Sequence, residues 1–244
     1  MQSSPQLFAN NQPETPLDYL VIAPHPDDAE LGMAGAILKL KSEGKRVGVL
    51  ELTNGEPTPF GTVEKRKKET DEATEILNLD WRGNLGLTNR TLLPDLESRK
   101  ILASAFRILR PKTAFAPYWI DAHPDHRAAT QLIEDARFWA KLTKTEMSSD
   151  PLPPPRLYYY YCIHLRQTVT PAFILDITPF WAKKLASIKA FHSQFIEGRK
   201  ETAPMFLEQL TSEASYWGKL IGKRYGEPFA SREPLGVGGF SEFL

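Results

Sequence analysis

Twice in this chain a short apolar run stops at His-Pro-Asp and gives way to a helix-like pattern. The first run, Tyr19 to Ala23, contains β-branched Val21 and Ile22 and reads as a buried strand. Pro24-His25-Pro26-Asp27-Asp28 follows, then a helical stretch from Glu30 to Lys41. The second run, Thr113 to Ala116, leads through Pro117 and Tyr118 into His123-Pro124-Asp125-His126, with a helix expected from about His126 to Lys141. A polar cluster at the carboxyl end of a buried strand sits where open α/β sheets place their ligands. On neighbouring parallel strands the two loops would face one crevice, and together they hold three of the five histidines.

Pro24 and Pro26 bar Ala23 and His25 from the α region, so the first loop is stiff. His25 and Asp28 can converge on one point, and a histidine with a carboxylate is a common zinc half-site. Asp27 could point elsewhere, at a metal-bound water. The plainer reading makes Asp27 or Asp28 a helix cap and His25 a loop residue. Repetition of the motif behind a second strand favours the chemical reading.

The remaining pattern alternates in the same way. Strands are expected at Val47 to Thr53, Trp81 to Leu85, Arg156 to Cys162 and Ala172 to Ile177. Helices are expected at 62–78 with Thr62 as cap, at Glu97 to Leu109, near 179–191 and near 203–225, with Gly44 closing the first helix. The tail from Gly226 to Leu244 reads as irregular, and residues 1–17 as a flexible arm. This order implies an α/β, Rossmann-like, mainly parallel sheet with helices on both faces, in one domain spanning 1–244. G-x-G-x-x-G is absent after the first strand, so a dinucleotide site is unsupported.

Thirty basic residues balance thirty acidic ones in 244, so no long-range field favours nucleic acid or an anionic membrane. No apolar run approaches the about 20 residues a bilayer requires. A single cysteine, Cys162, permits no intrachain disulfide and reads as a small buried hydrophobe. The N-terminus has no basic segment followed by an apolar one, so a cytoplasmic protein is expected.

His25-Pro26-Asp27-Asp28 together with His123-Pro124-Asp125-His126 resembles the paired signature of the LmbE-like, or PIG-L, zinc-dependent N-acetylglucosamine deacetylases. Leu52-Thr53-Asn54-Gly55-Glu56, Gly61-Thr62-Val63-Glu64-Lys65-Arg66, Phe115-Ala116-Pro117-Tyr118 and Ser193-Gln194-Phe195 extend the likeness along nearly the whole chain. The resemblance implies an LmbE-like fold and one Zn2+ per chain, held by His25, Asp28 and His126. It implies Asp27 as general base, His123 as an imidazolium that steadies the developing oxyanion, and Asp125 as the carboxylate that hydrogen-bonds His123. Arg66 is implied as a sugar contact, and Asn54, Arg90 and Tyr118, on candidate rim loops, complete the expected substrate contacts.

The branch it most resembles acts on N-acetylglucosaminyl-L-malate in bacillithiol biosynthesis. That implies a small-molecule sugar conjugate as substrate and a homo-oligomer, a hexamer in that branch. An inositol conjugate or a chito-oligomer is the alternative substrate. One departure bears on this: the branch often carries an arginine before the second motif, where this chain has Ala122. Arg66, Arg90 and Arg166 are then the candidates to meet the carboxylates of malate.

Two readings of other classes compete. A metallo-phosphoesterase would usually want a two-metal, carboxylate-rich cluster. A non-catalytic, zinc-stabilised interaction protein would have a closed, cysteine-rich site, and no cysteine lies near these motifs.

Overall fold

The computed structural model describes residues 8, 11–147, 149–165, 167, 169–199 and 202–236. Arg166 and residues 237–244 lie outside them, as do most of the expected N-terminal arm's first ten residues. Seven strands form one sheet: β1 (Tyr19–Ala23), β2 (Val47–Thr53), β3 (Trp81–Leu87), β4 (Thr113–Pro117), β5 (Arg156–Tyr160), β6 (Phe173–Asp176) and β7 (Gly226–Ala230). Their order is β3-β2-β1-β4-β5-β7-β6. The first five run parallel, and β7 pairs antiparallel with both β5 and β6. The helices are α1 (Asp28–Ser42), α2 (Val63–Leu77), α3 (Leu96–Leu109), α4 (Pro124–Trp139), α5 (Trp181–Ala190), α6 (His192–Phe195) and α7 (Ala203–Leu220).

The side-chain period of two divides each central strand between two cores. Leu20, Ile22, Leu50, Leu52, Ala114, Ala116, Leu157 and Tyr159 join one apolar cluster, with residues of α3 and α4. Val21, Ala23, Val47, Val49, Phe115 and Tyr160 join another, with residues of α1. Strands buried on both faces read as nearly continuous apolar runs, which is why β1, β2 and β4 stand out in the sequence.

Local rules place the ends. Thr62 accepts the Lys65 N–H across the first turn of α2. Gly44, at φ 70°, follows α1, with Lys45 N–H bonded to the Leu40 carbonyl and Gly44 N–H to that of Lys41, the paired bonds of a Schellman motif. Helix α4 begins two residues before the expected His126, because Pro124 fits the first helical position, where its missing N–H costs nothing.

Two expectations need correction. Gly226 to Ala230 is a buried strand between β5 and β6, not part of an irregular tail. Gly226 and Pro228 in five residues hid it, since proline cannot donate to a sheet ladder. The described end of the arm is not loose either. Trp81 donates its indole N–H to the Asn11 carbonyl, Asn11 donates to the Arg82 carbonyl, and Leu17 is fully buried.

From β1 the chain moves outward through β2 and β3, and from β4 it moves the other way through β5. The reversal lies between β1 and β4, whose carboxyl ends deliver the two His-Pro-Asp loops. Such a switch point leaves a crevice at the end of the sheet.

Candidate active site

Three donors meet at this crevice. Asp28 Oδ2 lies 3.1 Å from His25 Nδ1 and 3.3 Å from His126 Nε2, with all three residues buried. Metal–ligand bonds of 2.0–2.1 Å in a tetrahedron set ligand spacings of about 3.3 Å, so this corner fits a small N/O-liganded cation. Charge also holds this corner together. Burial alone would raise the Asp28 carboxyl, but His126 and His25 outweigh it and keep it well below its ordinary value.

Each of the two histidines is backed by a carboxylate on its other nitrogen. Asp125 Oδ2 lies 3.2 Å from His25 Nε2, and Asp121 Oδ2 lies 3.2 Å from His126 Nδ1. The Asp125 contact is a hydrogen bond, the kind of partner that fixes a ring and its tautomer and strengthens the ligand, whereas Asp121 faces His126 as a close ion pair. Asp125 is held in turn by the main-chain N–H groups of Arg90 (2.8 Å) and Leu92 (3.3 Å). Cys162 also lies near Asp121 and His126, but burial pushes its thiol up to about 12, so it is no thiolate at neutral pH.

Adjacent Asp27 and Asp28 point apart. Asp27 stands at the N-cap position of α1, without a side-chain cap bond, at φ 104°, ψ −25°, a strained conformation for a residue with a side chain. That twist sends its carboxylate to Arg66, whose Nη2 lies 3.1 Å away and also donates to the Pro26 carbonyl at 2.9 Å. Burial pushes the Asp27 carboxyl up to about 7, Arg66 opposing and Asp28 adding to the rise. A buried carboxyl poised near neutrality is suited to take a proton.

His123 caps α4, with Nδ1 accepting the main-chain N–H of Asp125 at 3.2 Å. This corrects two expectations. The Asp125 carboxylate bonds to His25, not to His123. An Nδ1 that accepts a hydrogen bond carries no proton, so His123 in this arrangement is the neutral tautomer with Nε2–H, not an imidazolium. Its burial and the nearby His126 and His25 push its pKa down.

His25, Asp27, Asp28, His123 and His126 line a cavity of about 240 Å3, walled further by Gly55, Pro57, Thr58, Arg66, Asn89, Arg90, Ile163, His164, Gln194, Phe195 and Arg199. Glu69 holds the last wall in place by accepting the Ser193 N–H (2.6 Å) and hydroxyl (2.7 Å), and Gln194 donates to Thr58 across the cavity at 3.2 Å.

The four expected substrate contacts divide. Arg90 lines the cavity, with Nη2 on the Pro57 carbonyl. Arg66 lines it too, but its guanidinium is buried against Asp27. Asn54 faces a different cavity, beside α2 and β3, with Oδ1 accepting the Glu56 N–H. Tyr118 is buried against Trp119 and Tyr161, outside the cavity lining.

Sequence reasoning missed Asp121, His164 and Arg199, and it named Gln194 only within a stretch of family likeness, without a place in the site. Asp121 lies five residues before His126 and gave no signal separate from the motif. His164 sits just past β5, which neighbours β4, so the sheet order could have suggested it.

Residues 20–137 match the family described as PIG-L, GlcNAc-PI de-N-acetylase, a span that includes both motif loops. The diacetylchitobiose deacetylase of Thermococcus kodakarensis is 32% identical over 223 residues, covering 85% of this chain and 80% of that protein. A probable N-acetyl-α-D-glucosaminyl L-malate deacetylase 2 of Bacillus anthracis is 26% identical over 72% of this chain and 80% of its own length. The crystal structure of a conserved protein from Thermus thermophilus, TT1542, superposes with a TM-score of 0.83 at 41% identity, covering 91% of this chain and 97% of that one. With that identity and coverage, and with a histidine–aspartate corner at the switch point, the chain belongs to the PIG-L family and is a hydrolytic deacetylase.

Proposed function

We propose that this protein removes the acetyl group from N-acetylglucosamine units of short chito-oligosaccharides, using one zinc ion held by His25, Asp28 and His126. The observation that carries the reaction is the pairing of that three-donor corner with a separate buried carboxyl, Asp27, on the next residue. The chitobiose deacetylase, with its greater identity and coverage, supports the sugar assignment over the malate conjugate expected from the motifs. The malate conjugate stays as the second reading, favoured by two guanidinium groups on the cavity wall, Arg90 and Arg199, that could meet its carboxylates.

When bound, zinc supplies Lewis acidity that polarises the acetamide carbonyl and makes a neutral-pH water nucleophilic. Asp27 takes the proton of the attacking water as its oxygen bonds to the carbonyl carbon. His123 Nε2–H donates to the oxyanion as charge develops, a preorganised contact that costs no reorganisation. The carbon–nitrogen bond then breaks, the amine leaves with the proton that Asp27 took, and acetate remains. Asp121 and Asp125 hold the two imidazoles in their ligating tautomers. Arg66 keeps the Asp27 carboxylate directed while opposing its rise in pKa.

A substrate panel tests this reading: N,N′-diacetylchitobiose, free N-acetylglucosamine, N-acetylglucosaminyl-malate and the inositol conjugate, each with the zinc-loaded protein. We expect the highest kcat/KM on the chitobiose. Preference for malate would install the second reading, and acetate release from none of them would overturn the assignment. The homo-oligomer implied by the family branch belongs to the same proposal, and a monomer by light scattering would remove it. No helix among the described residues is long and apolar enough to cross a membrane.

A further inference from the structure

Helix α1 is broken one turn after Asp28. Met33 sits at φ −150°, ψ 25°, outside the helical region. A break leaves carbonyls without donors before it and N–H groups without acceptors after it. One buried ion pair from the C-terminal half of the chain supplies bonds on both sides of the break. Glu227, on β7, accepts the N–H groups of Gly35 (2.8 Å) and Ala36 (2.6 Å). Lys184, on α5, donates to the Leu31 carbonyl (2.8 Å) and to Glu227 Oε1 (2.6 Å). Both side chains are almost wholly buried.

The break needs small residues as well as the pair. A Cβ on Gly32 would fall 2.3 Å from the Tyr160 ring, and one on Gly35 would fall 2.6 Å from Ile177. The isolated turn before the break, Asp28 to Leu31, carries the metal-facing carboxylate, and Asp27 stands at its N-cap position. Leu31 itself lines the cavity. On its other side the turn is tied by Glu30, 2.7 Å from Arg82.

We propose that Lys184 and Glu227 are positioning residues for the metal corner. Their pair sets the angle between the turn that carries Asp27 and Asp28 and the rest of α1, and so holds Asp28 Oδ2 within reach of both histidines. The inference rests on the metal reading of His25, Asp28 and His126. A pair with only a packing role would lower thermal stability and leave the metal corner of the folded protein unchanged, because neither side chain touches a proposed ligand.

The test compares zinc affinity of chelator-stripped wild type, Lys184→Met, Glu227→Ala and the near-isosteric Glu227→Gln, by competition with a chromophoric chelator below each Tm. Arg107→Met is the control. Arg107 is buried and bonds the carbonyls of Ala140, Met147 and Ser149, none of which lines the cavity. Lys184→Met and Glu227→Ala should raise the zinc Kd about 10–100-fold, the range for groups that orient metal ligands. Glu227→Gln, which keeps one acceptor, should fall between them and wild type. Zinc-loaded variants should lose kcat with KM unchanged. Arg107→Met should lower Tm with an unchanged zinc Kd. If Lys184→Met or Glu227→Ala fails to fold, Glu227→Gln decides the question. Variants folded and within about twofold of wild type in zinc Kd, against the 10–100-fold expected, would overturn the inference. Wild type without zinc affinity would overturn the metal reading beneath it.

Discussion

Replacing Asp27 by asparagine should make the metal-free protein more stable at pH 8 while abolishing most of its activity. The fold raises this carboxyl from the ordinary 3.8 to about 7. Between those values the folded chain holds a proton that the unfolded chain has released, so stability falls as pH rises from about 4 to about 7. At 1.36 kcal/mol per pKa unit, the penalty above that window is about 4 kcal/mol. Asparagine has nearly the same shape and no charge, and escapes it. The opposing effect is Arg66, which the substitution leaves buried without its carboxylate. Breaking a buried ion pair can cost about 3–5 kcal/mol. Here the attraction of Arg66 already opposes the rise, burial outweighs it, and Arg66 keeps its bond to the Pro26 carbonyl. We therefore expect a gain of about 2–4 kcal/mol at pH 8 that falls by about 3 kcal/mol when the pH is lowered to 4.5. Urea unfolding of chelator-treated wild type and variant at the two pH values measures it. A loss of stability at pH 8, or a gain that does not change with pH, would refute the reasoning and make Asp27–Arg66 a structural ion pair. The zinc-loaded variant should keep its metal and lose about 10²–10⁴-fold in kcat, the usual size of general acid–base catalysis.

Three further outcomes separate the roles at the site. His126→Ala and Asp28→Ala should bind zinc weakly by metal analysis, and full occupancy in either would remove that residue from the ligand set. Asp125→Asn should weaken zinc binding about 10–100-fold, because the carboxylate orients His25. Unchanged affinity together with an altered pH profile would return it to His123. Asn54→Ala and Tyr118→Phe should leave KM within about twofold, since surface and non-contact changes are mild. A large rise in KM would bring either side chain back to the substrate.

The parts of this fold that could be read in the sequence are those governed by local rules. Tyr19 to Ala23, Val47 to Thr53 and Thr113 to Ala116 are apolar because both their faces are covered, and Thr62 and Gly44 mark helix ends by their own chemistry. The motif residues His25, Asp28 and His126 could be brought together on paper because two parallel strands carry them. What escaped depends on contacts remote in sequence. Gly226 to Ala230 is a strand because β5 and β6 pair with it, against the preference of Pro228. Asp125 turns to His25 because the Arg90 and Leu92 N–H groups hold it there. The resemblance implies Arg66 as a sugar contact, yet its guanidinium is buried against the Asp27 carboxylate, a partner on another element that no local pattern announces. The break in α1 at Met33 is flanked by Gly32 and Gly35, but the bonds on either side of it come from Lys184 and Glu227, more than 150 residues away in sequence.

Zinc titration of acetate release tests the central claim most directly. Chelator-stripped protein is mixed with N,N′-diacetylchitobiose, zinc is added in steps, and acetate is measured by an enzyme-coupled assay. The account predicts no release without metal, a linear rise with added zinc, and saturation at one equivalent per chain. Acetate released at full rate by the stripped protein, or saturation only at two equivalents, would contradict a single catalytic zinc at His25, Asp28 and His126.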